Sequence, residues 1–172
     1  MDTYKINIEG LDRELRKFPV NDKLDIAAFI MFGDIEMTEV AARELLKRVP
    51  EHDVVVTAEA KGIPLCYEMA RQGCRNYVVA RKSVKVYMGN PIGVTVNSIT
   101  TKNEQKLYLG EDDVNLLNGK RVLLVDDVIS TGESLHALET LVEKTGANIV
   151  GRASVLAEGD VIFLSELPLF FK

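Results

Sequence analysis

Residues 121–139 read RVLLVDDVISTGESLHALE, and the reading of this stretch decides the fold. Val122, Leu123, Leu124 and Val125 make an apolar run of the kind buried on both faces of a parallel sheet, expected to end at the paired acids Asp126 and Asp127. A loop of small and hydroxylated residues, 130–134, follows. Leu135, Leu138, Leu141 and Val142 then recur at helical spacing. The order is strand, acidic pair, small-residue loop, helix.

That order has a chemical meaning. A small-residue loop running into a helix presents unpaired backbone N–H groups and the positive end of the helix dipole to an anion, so a phosphate fits there. Two carboxylates at the strand end would repel the same anion, and are expected to face hydroxyls or a bound cation. Phosphate on one side and a diol or metal on the other describes a sugar phosphate.

Composition narrows the alternatives. A chain of 172 residues, 47% apolar and 27% charged, is long enough to bury a core and is globular in character. Its longest apolar runs are strand length and residues 1–10 lack the pattern of a signal peptide, so a cytoplasmic protein with no membrane partner is expected. The net charge of −5 argues against a nucleic-acid partner, which needs many phosphates neutralised. Positive charge is local: Arg81, Lys82 and Lys85 cluster, as do Lys102 and Lys106. Cys66 and Cys74 stand about 12 Å apart along a helix, too far for a disulfide. With His52 and His136 they have no ligand spacing and read as structural.

Along the chain, residues 4–8 suggest a strand and residues 24–32 an apolar stretch ending at Gly33, with Phe18, Phe29 and Phe32 read mainly as core. Residues 37–48 form an amphipathic helix closed by Pro50, and residues 53–58 a second buried strand entering Glu59-Ala60-Lys61-Gly62. A helix then opens with Pro64 in its first turn, where the missing N–H is harmless. Residues 76–80 form a third strand ending on Arg81 and Lys82, and residues 83–91 read as a loop. Residues 93–99 and 105–109 pair as a hairpin arm, and 111–119 reads as polar linkage. Further strands are expected at 148–157, 161–164 and 168–171. Strands alternating with helices imply an α/β fold, a mostly parallel sheet with helices on both faces and ligands beyond the strands' carboxyl ends.

Acids after an apolar strand are not specific by themselves. A nucleotide triphosphatase would need a G-x-x-x-x-G-K-[ST] loop ahead of the acids; residues 146–152 imitate only its spacing. A phosphoacceptor receiver domain would need over a hundred residues after its acids, and 45 follow Asp127 here.

The thirteen-residue run VLLVDDVISTGES, residues 122–134, resembles the phosphoribosyl-pyrophosphate (PRPP) motif of the type I phosphoribosyltransferases. It departs from adenine-type members at Glu133, usually Gly, and at Ser134 for Thr. TAEAKGI at 57–63 looks like the family's pyrophosphate loop, E-S-R-G in adenine enzymes and E-A-S-G in xanthine enzymes, with Lys61 in place of Arg. ARKSVK at 80–85 looks like the start of the flexible catalytic loop. The resemblance implies a parallel core over residues 36–160, a hairpin arm, and a small hood from residues 1–35 and the C-terminal tail.

It also implies roles. Asp126 and Asp127 would hold the ribose hydroxyls, and Ser130, Thr131, Gly132, Glu133 and Ser134 would wrap the 5-phosphate, Glu133 through its backbone N–H alone. Glu59, Ala60, Lys61 and Gly62, with Arg81, Lys82, Lys85 and magnesium carried mainly by PRPP and water, would meet the pyrophosphate; Lys85 joins the two aspartates as a catalytic candidate. The reaction would be transfer of the phosphoribosyl group to a purine base, in a homodimer. Hypoxanthine and guanine enzymes generally carry Asp just before the Thr-Gly, where this chain has Ser130, so adenine is favoured, with xanthine next. A PRPP-binding regulator without turnover is the rival, although with about 35 residues before the first helix no DNA-binding domain is expected ahead of the core. Phe29, Phe32 and Phe163 are candidates for stacking on the base.

Overall fold

The structure is a computed structural model and describes residues 2–97 and 104–172. Its centre is a five-stranded sheet of β4 (Val54–Ala58), β5 (Tyr77–Ala80), β8 (Arg121–Ile129), β9 (Asn148–Ala157) and β10 (Ile162–Glu166). All four pairings are parallel, in the order β10-β9-β8-β4-β5. Helix α2 (Ile63–Gln72) connects β4 to β5, and α4 (Glu133–Glu143) connects β8 to β9. From β4 the chain moves outward to β5, returns to β8, and then moves the other way. The order therefore reverses between β4 and β8, the place in such sheets where a ligand-sized crevice opens.

Strand alternation feeds two cores. Leu123 and Val125 of β8 pack with α2 and with α1 (Ile35–Leu46), burying Met37, Ala41, Leu45, Leu65 and Met69. Val122 and Leu124 face the other way, against Ala137, Leu138, Leu141 and Val142 of α4. Helices on both faces agree with the apolar character of these strands. Asp34 caps α1 through Met37 N, and its carboxylate also takes Arg13 Nε at 2.7 Å and Nη2 at 2.9 Å.

A second, antiparallel sheet is built by β1 (Thr3–Ile8), β2 (Leu11–Asn21), β3 (Leu24–Ala27) and β11 (Leu169–Phe171), so the two chain ends meet. Its inner residues Ile6, Ile8, Leu15 and Ala27 join the α1 core, as does Phe29. Phe29 is core; Phe32 is exposed. Antiparallel strands β6 (Ile92–Asn97) and β7 (Glu104–Leu109) form the arm. Reciprocal bonds between Arg81 and Tyr108, 2.9 and 2.8 Å, fasten it to the end of β5. The turn of the expected hairpin and Lys102 lie outside the described residues.

Three expectations are corrected. Strand β8 does not stop at the acids but continues to Ile129, because β9 keeps pairing with it at Asp126↔Ser154 and Val128↔Leu156. The supposed polar linkage contains α3 (Glu111–Leu117), whose acids Glu111, Asp112 and Asp113 suit the positive helix start while Leu117 is buried. Strand β2 was not expected at all, because its charged residues hide the alternation.

Candidate functional site

Two connected cavities lie at the sheet's switch point. The larger, about 610 Å³, is bordered by Glu59, Ala60 and Lys61 after β4, by Lys82 after β5, by Asp126 and Asp127, and by Glu104–Leu107 of the arm. The smaller, about 80 Å³, is bordered by the 129–135 loop and shares Asp126, Val128 and Ser134 with the larger. Asp126 thus stands where a small compartment meets a wide one, and Asp127 borders the wide one.

The small compartment follows from local sequence. Gly132 caps α4 with φ 79°, a left-handed conformation that glycine adopts without the Cβ penalty. That turn gathers Ser130, Thr131, Glu133 and Ser134 around the helix N-terminus, where backbone N–H groups and hydroxyls favour a phosphate. Glu133 is the first helical residue, an acid in the turn where the helix dipole favours one.

Close packing joins the two loops. A Cβ on Gly62 would sit 2.4 Å from Thr57 Oγ1, 2.9 Å from Asp126 Oδ1 and 3.2 Å from Asp126 Cα, so only glycine lets the β4 loop lie against the acids. The Glu59–Ala60 peptide is cis. Lys61 Nζ reaches to 3.4 Å from Asp127 Oδ2.

The two acids have unlike surroundings. Asp126 Oδ1 accepts from Asp127 N at 2.8 Å, and Asp127 Oδ1 accepts from Val128 N at 2.9 Å. Asp127 Oδ2 is buried with no hydrogen bond among the described residues, and Lys61 Nζ is the cation beside it. A buried carboxylate oxygen in that condition calls for a donor from a ligand. Burial, then the adjoining Asp127 carboxyl, push the Asp126 carboxyl up to about 8; the Asp127 N–H and Lys61 oppose this. Asp126 therefore keeps its proton in the free site at neutral pH.

Glu59 organises the cations. Its Oε2 accepts from Lys82 N at 2.9 Å and from Arg81 Nε at 3.2 Å, and these bonds hold its carboxyl below the usual range. Arg81 is thereby turned toward Glu59 and Tyr87, whose hydroxyl lies 2.5 Å from Nη1. Lys85 precedes the 3₁₀ turn Val86–Met88, and neither Arg81 nor Lys85 borders either cavity. All the other expected PRPP-site residues border the cavities, except Gly62, which lies against Asp126, whereas the stacking candidates Phe29, Phe32 and Phe163 border neither. Sequence reasoning missed Glu104 and Gln105, and took Lys106 only as part of a charge cluster. Their signal was the arm's position beside the sheet end, which only the Arg81–Tyr108 bridge discloses.

A parallel α/β sheet with an anion loop, an acid pair and fixed cations converging at its switch point defines a sugar-phosphate-binding class. The family model described as a phosphoribosyl transferase domain matches residues 31–162. The hypoxanthine/guanine phosphoribosyltransferase of Methanococcus voltae is 33% identical over 158 residues, 87% of this chain and 81% of its own length. The adenine phosphoribosyltransferase of Rhodococcus jostii is 35% identical over 127 residues, covering 73% and 69%. In fold, the adenine phosphoribosyltransferase of Thermoanaerobacter pseudethanolicus matches with a TM-score of 0.73 at 21% identity, over 89% of this chain and 95% of that one. The chain belongs to the phosphoribosyltransferase family and carries its type I fold.

Proposed function

We propose that the protein transfers the 5-phosphoribosyl group of PRPP to a purine, adenine first, releasing pyrophosphate. The observation that carries this reading is Asp126 standing between a phosphate-sized compartment and a wide cation-bordered one, with Asp127 beside it on the wide side. The 5-phosphate would occupy the 130–134 loop, the ribose hydroxyls would meet Asp126 and Asp127, and the pyrophosphate would lie along Glu59–Gly62 and Lys82. Asp127 Oδ2 gains its missing donor from a hydroxyl, and the proton on Asp126 lets that acid donate as well as accept.

Attack by a ring nitrogen at the anomeric carbon passes through an oxocarbenium-like state, with positive charge growing on the ribose and negative charge on the departing diphosphate. Lys61 and Lys82 stabilise the leaving group, and Asp127 faces the ribose hydroxyls. The arm residues 104–107 border the wide cavity and limit access of competing water. No cluster of three or more His, Cys, Asp or Glu suited to a metal exists among the described residues. Magnesium fits this site as a metal–diphosphate complex, its donors the diphosphate oxygens and water; when bound it neutralises charge on the leaving group. Arg81 and Lys85 lie outside the cavities, and to act on the diphosphate their side chains would have to reach inward from the 81–88 segment.

Adenine is favoured because Ser130 offers no carboxylate to the purine, while the curated relatives include both adenine and hypoxanthine/guanine enzymes. A cytoplasmic homodimer is part of the same reading. The test is the initial rate of pyrophosphate release from PRPP and Mg²⁺ with adenine, xanthine, hypoxanthine, guanine, uracil and orotate offered separately. Adenine should give the highest kcat/KM. A higher value with another purine overturns the choice of base, and no release with any base overturns the enzyme reading in favour of a PRPP-binding regulator.

A further inference from the structure

The arm brings charges of its own to the wide cavity. Alternate residues of a strand share a face, so Glu104, Lys106 and Tyr108 of β7 lie on one face, and Leu107 and Leu109 lie on the other, buried in the same core as Ala137, Leu138 and Leu141 of α4. Glu104 and Lys106 border the cavity from the arm, and Lys61 and Lys82 border it from the loops of the parallel sheet.

The backbone beneath Lys106 is held. Leu107, the next residue, is buried, and Tyr108 exchanges hydrogen bonds of 2.9 and 2.8 Å with Arg81. The facing strand is tied at the same level, where Gly93 pairs with Tyr108 and Gly93 O accepts from Lys144 Nζ at 3.1 Å. Lys106 is thus rooted on a fixed strand, while its side chain, 49% exposed, can swing its ammonium through the length of the stem.

In the free protein that ammonium rests on an acid of the same face. Lys106 Nζ lies 3.4 Å from Glu104 Oε2, and the Glu104 side chain is as open to water as that of Lys106. Such a pair is weak, because water and salt screen it and two flexible side chains must be ordered to make it. Lys61 rests in the same way, its Nζ 3.4 Å from Asp127 Oδ2. A diphosphate carries more negative charge and more acceptor oxygens than one carboxylate, so it competes well for Lys106, while Glu104 repels it.

We infer that Lys106 is a further diphosphate-binding residue, contributed by the arm, and that Glu104 is its counter-ion in the free protein, displaced when the diphosphate enters. The inference rests on the reading of the wide cavity as the diphosphate end of the PRPP site. It gives two residues on one strand face opposite signs: Lys106 strengthens binding and Glu104 weakens it. A general loosening of the arm would move both in the same direction.

The test is titration calorimetry on the intact protein, with no base present, using PRPP with Mg²⁺ and, separately, ribose 5-phosphate, which lacks the diphosphate. Lys106→Gln should weaken PRPP roughly tenfold, the size of one charge-assisted contact, and leave ribose 5-phosphate unchanged, while Lys106→Arg keeps most of the affinity. Glu104→Gln should tighten PRPP roughly threefold. An unchanged PRPP affinity in Lys106→Gln overturns the inference, and so does an equal loss for both ligands, which marks a disturbed arm. Weaker PRPP binding by Glu104→Gln overturns the counter-ion role. A wild type that binds PRPP no more tightly than ribose 5-phosphate overturns the inference and leaves the phosphate loop standing, whereas a wild type that binds neither overturns the reading of the whole site.

Discussion

Replacing Asp126 by Asn should make the free protein more stable at mildly alkaline pH while making it useless as a transferase. Asp126 is mostly buried beside Asp127, and its carboxyl is raised to about 8 from an ordinary 3.8 by burial first and the neighbouring acid second. A group whose folded pKa is raised holds its proton in the folded state where the unfolded chain has lost it. Its contribution is complete below the unfolded value and disappears as pH rises through the folded one. Between pH 6 and 8 the folded wild type should therefore lose about 2 kcal/mol from this group alone, since each pH unit in that window costs about 1.4 kcal/mol per retained proton. Asparagine keeps the acceptor for Asp127 N, now made at 2.8 Å, and offers an amide to the Asp127 carboxylate without any proton to lose. His52 is also raised and has the same sign, so the useful quantity is the difference between wild type and variant, in which His52 cancels. Urea unfolding followed by far-UV circular dichroism at pH 6, 7 and 8 measures it. The variant should gain on the wild type steadily with pH. Two parallel stability curves, differing by less than about 0.5 kcal/mol across this range, would refute a raised Asp126 carboxyl.

Three further substitutions probe the rest of the site. Gly62→Ala places a Cβ 2.9 Å from Asp126 Oδ1 and 3.2 Å from its backbone, so a thermal melt should show a loss of about 1–3 kcal/mol, with a raised KM for PRPP; an unchanged KM would mean that the two loops do not act together. Glu59→Gln weakens the hold on Arg81 and Lys82 and should lower kcat/KM for PRPP roughly tenfold in steady-state assays while the melting temperature moves little. Lys85→Ala should lower kcat by on the order of a hundredfold with little change in PRPP affinity, because Lys85 lies outside the free site and would act only in the transition state; a pure affinity loss contradicts that.

Much of the core was legible because its physics is local. Val122–Val125 and Val54–Val56 are apolar on both faces, and only a sheet covered by helices on both sides buries such runs. The phosphate loop was legible because Gly132 and its small neighbours state a backbone geometry directly. What was not legible depended on distant partners. Arg13 of β2 looks like a surface charge until Asp34 neutralises it. The extension of β8 past its acids needs the pairing of Asp126 with Ser154. The inward wall made by Glu104–Leu107 needs the bridge from Tyr108 to Arg81. The base preference is harder to read for a related reason: Phe29, one of the stacking candidates, is spent on the core, and the relatives divide between two kinds of purine.

The central claim is that the acid pair and its two compartments hold PRPP for glycosyl transfer. Phosphorus NMR of the protein with PRPP, Mg²⁺ and adenine follows both halves of that reaction in one tube. The account predicts stoichiometric conversion of PRPP into pyrophosphate and a nucleoside monophosphate, abolished by Asp126→Asn with Asp127→Asn in a protein that still unfolds cooperatively. Undiminished conversion by the folded double variant would contradict it.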